Sequence, residues 1–149
     1  MELWELIARE SIRDLVTRYN SNGDSGRFDE VMALFADNAI MEVEGEAGPV
    51  VHRGHAEIRT IFTGTQERWA EERGAGVHVS DAHYVRHRVA THQISFDNDT
   101  HARGYSYYEV LMPHGLDHWG RYFDRYERRG DKWIFTYRKA TREGWVGLT

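Results

Sequence analysis

Nine histidines in 149 residues supply many groups able to give and take protons near neutral pH. His87 stands at the entry to a run rich in β-branched and aromatic residues, and it is the first candidate for acid–base work. His83 and His87 are four apart, as are His114 and His118. That spacing gathers metal ligands on one face of a helix, yet both segments read as loop and strand. No HExxH-type carboxylate motif accompanies them, so neither a metal nor another cofactor is expected. His92, His101, His114 and His118 read as sheet-surface or interface residues. Cysteine is absent, which excludes thiol nucleophiles, disulfides and cysteine metal sites. Five Trp, eight Tyr and six Phe suit either a site for a planar ligand or an aromatic core.

The elements that must position these groups follow from periodicity. Residues 84–108 read as one long hairpin. Asp97-Asn98-Asp99 forms its turn, because short Asx side chains bond their own backbone. Upstream, Trp4, Ala8, Ile12, Leu15, Val16 and Tyr19 recur at helical spacing and predict a helix over 2–22. Gly23 is its expected left-handed stop. Asp24-Ser25-Gly26 is a turn in which Asp24 caps the next helix, over 27–35. A strand over 39–44 turns into a partner over 50–53. Gly54 opens a third helix, to about 70, with Ile58, Ile61 and Phe62 on one face. Residues 63–82 read as a helix end followed either by a loop covering a pocket or by a disordered insertion. Strands follow over 87–96, 101–112, 118–128 and 133–141. Helices first and an antiparallel meander last describe a single α+β domain over 1–149. Three helices on the concave face of one strongly curved sheet would leave a cavity between the layers.

The net charge of -5, with both signs mixed, gives no general pull toward nucleic acid or acidic membranes. No apolar run approaches the roughly 20 residues a membrane span needs. The first residues lack the layout of a signal peptide, so a cytoplasmic location is expected. Trp119, Tyr105 and Tyr107 would leave an aromatic patch on the outer sheet face, which predicts a homodimer or homotrimer.

The stretches ARESIRDLVTRYNSNGDSGRFDEVMALFADNAI, RGHAEIRTIF, RHRVATHQISFDNDTHARGYSYYEV, GLDHWGRYFDRY and WIFTYRKATREGW resemble SnoaL-like proteins of the nuclear-transport-factor-2-like superfamily. The resemblance covers nearly the whole chain outside 63–82. It implies a cone-shaped half-barrel with a deep hydrophobic pocket, as in scytalone dehydratase, bile-acid 7α-dehydratase, lindane dehydrochlorinase and polyketide cyclases. It also implies an Asp–His pair, here Asp24 and His87. A catalytic Tyr corresponds to Tyr19, a pocket Arg to Arg138, and a substrate-binding Arg to Arg142. The chain departs from those relatives at Val43, where one has a second pocket Tyr, and near Leu111, where one has a second pocket His.

Such a pair could run general acid–base chemistry. The Asp holds one ring nitrogen, and the other takes a proton from substrate. Tyr19 could donate to a leaving oxygen, and an Arg could stabilise developing negative charge. The expected function is a cofactor-independent lyase or isomerase acting on a cyclic, apolar small molecule. Two other functions stay open: a non-catalytic small-ligand module on the same fold, and an epoxide hydrolase. Each residue also has a structural role open to it: Asp24 as helix cap, His87 as hydrogen-bonded strand residue, Tyr19 as core.

Overall fold

The computed structural model describes residues 1–74 and 84–146. The chain runs α1 (Leu3–Asp24), α2 (Phe28–Met32), β1 (Phe35–Gly45), β2 (Gly48–Arg53), α3 (Gly54–Gly74), β3 (Arg86–Phe96), β4 (His101–Met112), β5 (Gly115–Arg129), β6 (Lys132–Ala140) and β7 (Gly144–Trp145). The strands form one open sheet in the order β2-β1-β6-β5-β4-β3, with β7 added to β5. Every pairing among them is antiparallel except β1 with β6. α1 lies against β3 and β6, and α3 against β1 and β2. The fold is α+β, a mainly antiparallel sheet with three helices, as the helices-first order implied.

α1 forms where the apolar spacing placed it. Ala8, Ile12, Leu15, Val16 and Tyr19 share one face and are buried. Fully buried side chains such as Ile12, Val31, Ile58 and Val110 each stabilise the fold by roughly 1.5–3 kcal/mol. Gly23 does not stop the helix. It stays helical where a Cβ would come within 3.2 Å of the Phe62 ring. The left-handed position falls instead on Gly26, at φ 74°. The Arg27 N–H there returns to the Asn22 carbonyl at 2.9 Å.

Two further expectations are corrected. Phe35 belongs to β1 and not to the second helix. A five-residue helix has little stability of its own, and Phe35 pairs with Phe135, ring on ring at 5.0 Å. α3, expected to end at about 70, runs on to Gly74; the remainder of the stretch expected to follow it, and His83, lie outside the described residues. Tyr19, Tyr122, Tyr126, Phe135 and Arg138 lie buried between helices and sheet.

Bulges decide which side chains face inward, since one extra residue reverses the alternation of a strand. In β3 the register slips between Ala90 and His92, with Thr91 unpaired at φ 53°. His87 and Val89 before it, and His92, Ile94 and Phe96 after it, therefore share the inner face. In β5, Val110 pairs with His118 and Leu111 with Leu116, which leaves Asp117 as the bulged residue. In β6, Thr136 is skipped between Phe135 and Tyr137. That slip turns Arg138 inward; strict alternation from Trp133 and Phe135 would turn it out.

Candidate active site

Asp24 is the last residue of α1, and His87 the second residue of β3, the edge strand of the sheet. An edge strand offers unpaired backbone donors on its open side, and Asp24 takes one of them. Its Oδ2 accepts the His87 backbone N–H at 2.8 Å, while Oδ1 meets His87 Nδ1 at 2.6 Å. Both carboxylate oxygens thus hold one residue. The Asp24 side chain is nearly buried and that of His87 is about a quarter exposed, at 7% and 26%. A carboxylate against Nδ1 requires the proton on that nitrogen, which leaves the Nε2 lone pair available. Nε2 makes no hydrogen bond to any described residue. The His87 ring lies 6.1 Å from the ring of Tyr108.

Tyr19 and Arg138 lie deeper. The Arg138 guanidinium is fully buried and bidentate to Asp124, Nε to Oδ1 at 2.8 Å and Nη2 to Oδ2 at 2.9 Å. It sits 3.8, 4.2 and 4.4 Å from the ring centroids of Tyr122, Tyr19 and Phe135. Burial works to lower its pKa, and the Asp124 charge and hydrogen bonds outweigh that, so it is held above its ordinary value. Burial pushes the Tyr19 hydroxyl up to about 12, with Arg138 opposing. That hydroxyl contacts Met41 Sδ at 3.9 Å. The pair reaches the dyad through stacked rings: Tyr122 on Tyr108 at 4.5 Å, then Tyr108 beside His87. Arg142 is exposed beyond the end of β6, with its backbone N–H on Glu44 at 2.9 Å and its guanidinium 5.5 Å from the Trp145 ring. It therefore does not share the buried face of Arg138.

Two histidines read as sheet surface are inner-face residues. His92 lies 3.2 Å from the Tyr126 hydroxyl, which donates to Asp124 at 2.8 Å. Burial brings His92 down to about 4, with the Asp124 charge opposing. His118 meets Asp117 Oδ2 through Nδ1 at 2.7 Å, and its ring lies 6.2 Å from Tyr108. Burial lowers its pKa against the pull of Asp117, and His87 and Arg142 lower it further. His114 Nε2 meets the other Asp117 oxygen at 2.9 Å. The bulge that puts His92 on the same face as His87 leaves no mark in simple alternation, whereas His118 alternates with the buried Gly120, Tyr122, Asp124 and Tyr126, so its parity was legible in β5 itself. Two surface depressions of about 460 Å³ each lie elsewhere, one by His101, Arg103 and Arg125, the other along α1 by Leu6, Ile7 and Glu10.

One open, mainly antiparallel sheet with three helices, and a carboxylate-held imidazole at its edge strand, make up a small α+β domain. The chain belongs to the SnoaL-like domain family, whose model matches residues 4–139. Its fold is similar to that of a candidate scytalone dehydratase from Novosphingobium aromaticivorans DSM 12444, at TM-score 0.77 and 16% identity, covering 100% of this chain and 93% of that one. It is also similar to the hexachlorocyclohexane dehydrochlorinase LinA-type3 of Novosphingobium barchaimii LL02, at TM-score 0.75 and 18% identity, covering 99% and 94%. A protein of unknown function with a cystatin-like fold from Nostoc punctiforme PCC 73102 matches at TM-score 0.69 and 19% identity, covering 91% and 90%. No curated protein matches the sequence significantly. At these identities the solved structures speak for the fold. Among the described residues, no helix is long and apolar enough to cross a membrane.

Proposed function

We propose that the protein is a cofactor-independent lyase or isomerase in which His87, held by Asp24, moves a proton on a cyclic, largely apolar small molecule. The observation that carries this reading is the double grip of Asp24 on His87. It sets the tautomer, aligns the ring and leaves a basic nitrogen with no protein partner among the described residues. Asp24 would also stabilise the imidazolium formed when Nε2 takes a proton. A positioned base of this kind contributes roughly 10²–10⁴-fold to rate. Dehydratase and dehydrochlorinase names among the structural neighbours agree with proton-abstraction chemistry.

The test needs no natural substrate. Wild type, His87→Ala and Asp24→Asn are incubated in D2O with a panel of cyclic ketones and cyclic β-hydroxyketones, and deuterium at the α-carbon is followed by NMR. Wild type should speed exchange on at least one compound, His87→Ala should return it to background, and Asp24→Asn should fall between them. Exchange at background across the panel, or equal exchange in His87→Ala, defeats the reading. A second reading, a ligand-binding module without catalysis, is favoured by one observation: Tyr19 and Arg138, which would serve the leaving group, are engaged in the core. Binding of panel compounds without exchange would select it.

A further inference from the structure

We propose that His118, held by Asp117, is a hydrogen-bond acceptor subsite beside the Asp24–His87 pair, and that it takes a hydroxyl group on a ring-shaped substrate. The proposal rests on the acid–base reading of Asp24 and His87 and adds to it the chemistry of the substrate.

Register brings the two imidazoles together. His87 pairs with Val110 on β4, and Val110 pairs with His118 on β5. Residues opposite one another in a sheet share a face, so His87, Val110 and His118 form one row on the inner side. Two strand spacings put their Cα atoms roughly 10 Å apart. Their rings flank Tyr108, at 6.1 and 6.2 Å from its centroid.

A bulge orients His118. Neighbouring residues of a regular strand point to opposite faces, so an Asp would not reach the ring of the next residue. The bulge at Asp117 removes that restriction. Asp117 Oδ2 meets His118 Nδ1 at 2.7 Å, and Oδ1 meets His114 Nε2 at 2.9 Å. As at His87, the carboxylate requires the proton on Nδ1 and leaves Nε2 as a lone pair. His118 Nε2 bonds to no described residue, and its side chain is 29% exposed. Burial disfavours a second proton on this ring, which keeps it an acceptor near neutral pH.

Two lone pairs on either side of Tyr108 select a particular ligand. A carbonyl or carboxylate oxygen facing Nε2 of neutral His118 would set acceptor against acceptor. A hydroxyl presents a donor and satisfies the ring. With His118 on a hydroxyl, a C–H bond elsewhere on the same ring comes to His87 Nε2. Trp145, the cross-strand neighbour of His118 and largely exposed, and Arg142 packed on its ring stand at the margin of this row.

The probes are 2-naphthol and its methyl ether 2-methoxynaphthalene, which differ in the one donor. Binding is measured by NMR titration of the histidine ring nitrogens in wild type, His118→Phe and Asp117→Asn. In wild type, 2-naphthol should shift the His118 Nε2 resonance and bind roughly two- to tenfold more tightly than the ether, the range of one net hydrogen bond. His118→Phe should erase that preference. Asp117→Asn should weaken it, because a neutral amide, able to accept or to donate, no longer fixes the proton on Nδ1. Equal affinity for the two probes in wild type, no binding of either, or a preference that survives in both variants overturns the proposal. The His87 resonance separates the two readings. A shift at His118 without one at His87 supports the subsite and undercuts the shared site; a shift at His87 alone does the reverse.

Discussion

Arg138→Met should unfold this protein more readily by about 3–5 kcal/mol, the usual cost of stripping one partner from a buried ion pair. Both side chains of the Arg138–Asp124 pair have zero exposure. Met keeps much of the stem volume, so the loss is mainly electrostatic. It leaves the Asp124 carboxylate in the core with the Tyr126 hydroxyl, at 2.8 Å, as its remaining side-chain partner. It also removes a guanidinium packed within 3.8–4.4 Å of three ring centroids. Domains of this size are stable by about 5–15 kcal/mol, so the variant should stay folded at room temperature. Its melting point should fall by roughly 6–20 °C. Asp124→Asn made together with Arg138→Met removes the stranded charge, and the double variant should recover most of the loss. Urea unfolding followed by tryptophan fluorescence supplies all four corners of the cycle. A cost under about 1 kcal/mol for the single variant, or a double variant as unstable as the summed singles, would refute the reasoning. Arg138 would then be a solvated group free to serve a substrate.

Stability should also depend on His92. Its folded-state value is about 4 against an ordinary 6.5, so as pH falls the unfolded chain takes the proton first, and stability declines between about 6.5 and 4. Discounted for its partial exposure, the contribution is about 1–2 kcal/mol; His92→Gln should flatten this part of the urea-midpoint profile, and an unchanged slope would count against it. Thr91→Asn, at the positive-φ bulge, should raise stability by roughly 0.5–1 kcal/mol in urea unfolding, because Asn tolerates that conformation and a β-branched residue does not; a loss there would contradict the strain. Light scattering at micromolar concentration should return two or three chain masses, since Tyr105, Tyr107 and Phe123 form a contiguous aromatic cluster on the outer sheet face; a single chain mass would dismiss that interface.

Much of the architecture was legible in the chain because its signals are local. The α1 stripe needs only the 3.6-residue period. The turn at Asn98 needs only one side chain, whose Oδ1 accepts from the backbone N–H groups of Thr100 and His101 at 2.9 Å each. Asp24 and His87 could be picked out through family resemblance, as residues at two recognisable boundaries, a helix end and a strand entry. Tertiary structure decided what lies between those points. Phe35 joins β1 because Phe135 offers it a partner that a five-residue helix cannot. His87 and His92 share the inner face, and Arg138 joins it, because single residues at Thr91 and Thr136 slip the register. A bulge is a property of two strands paired together, and neither strand's own sequence carries it. Alternation can be read from one strand, whereas the parity of a side chain beyond a bulge is set only when the neighbouring strand takes up its hydrogen bonds.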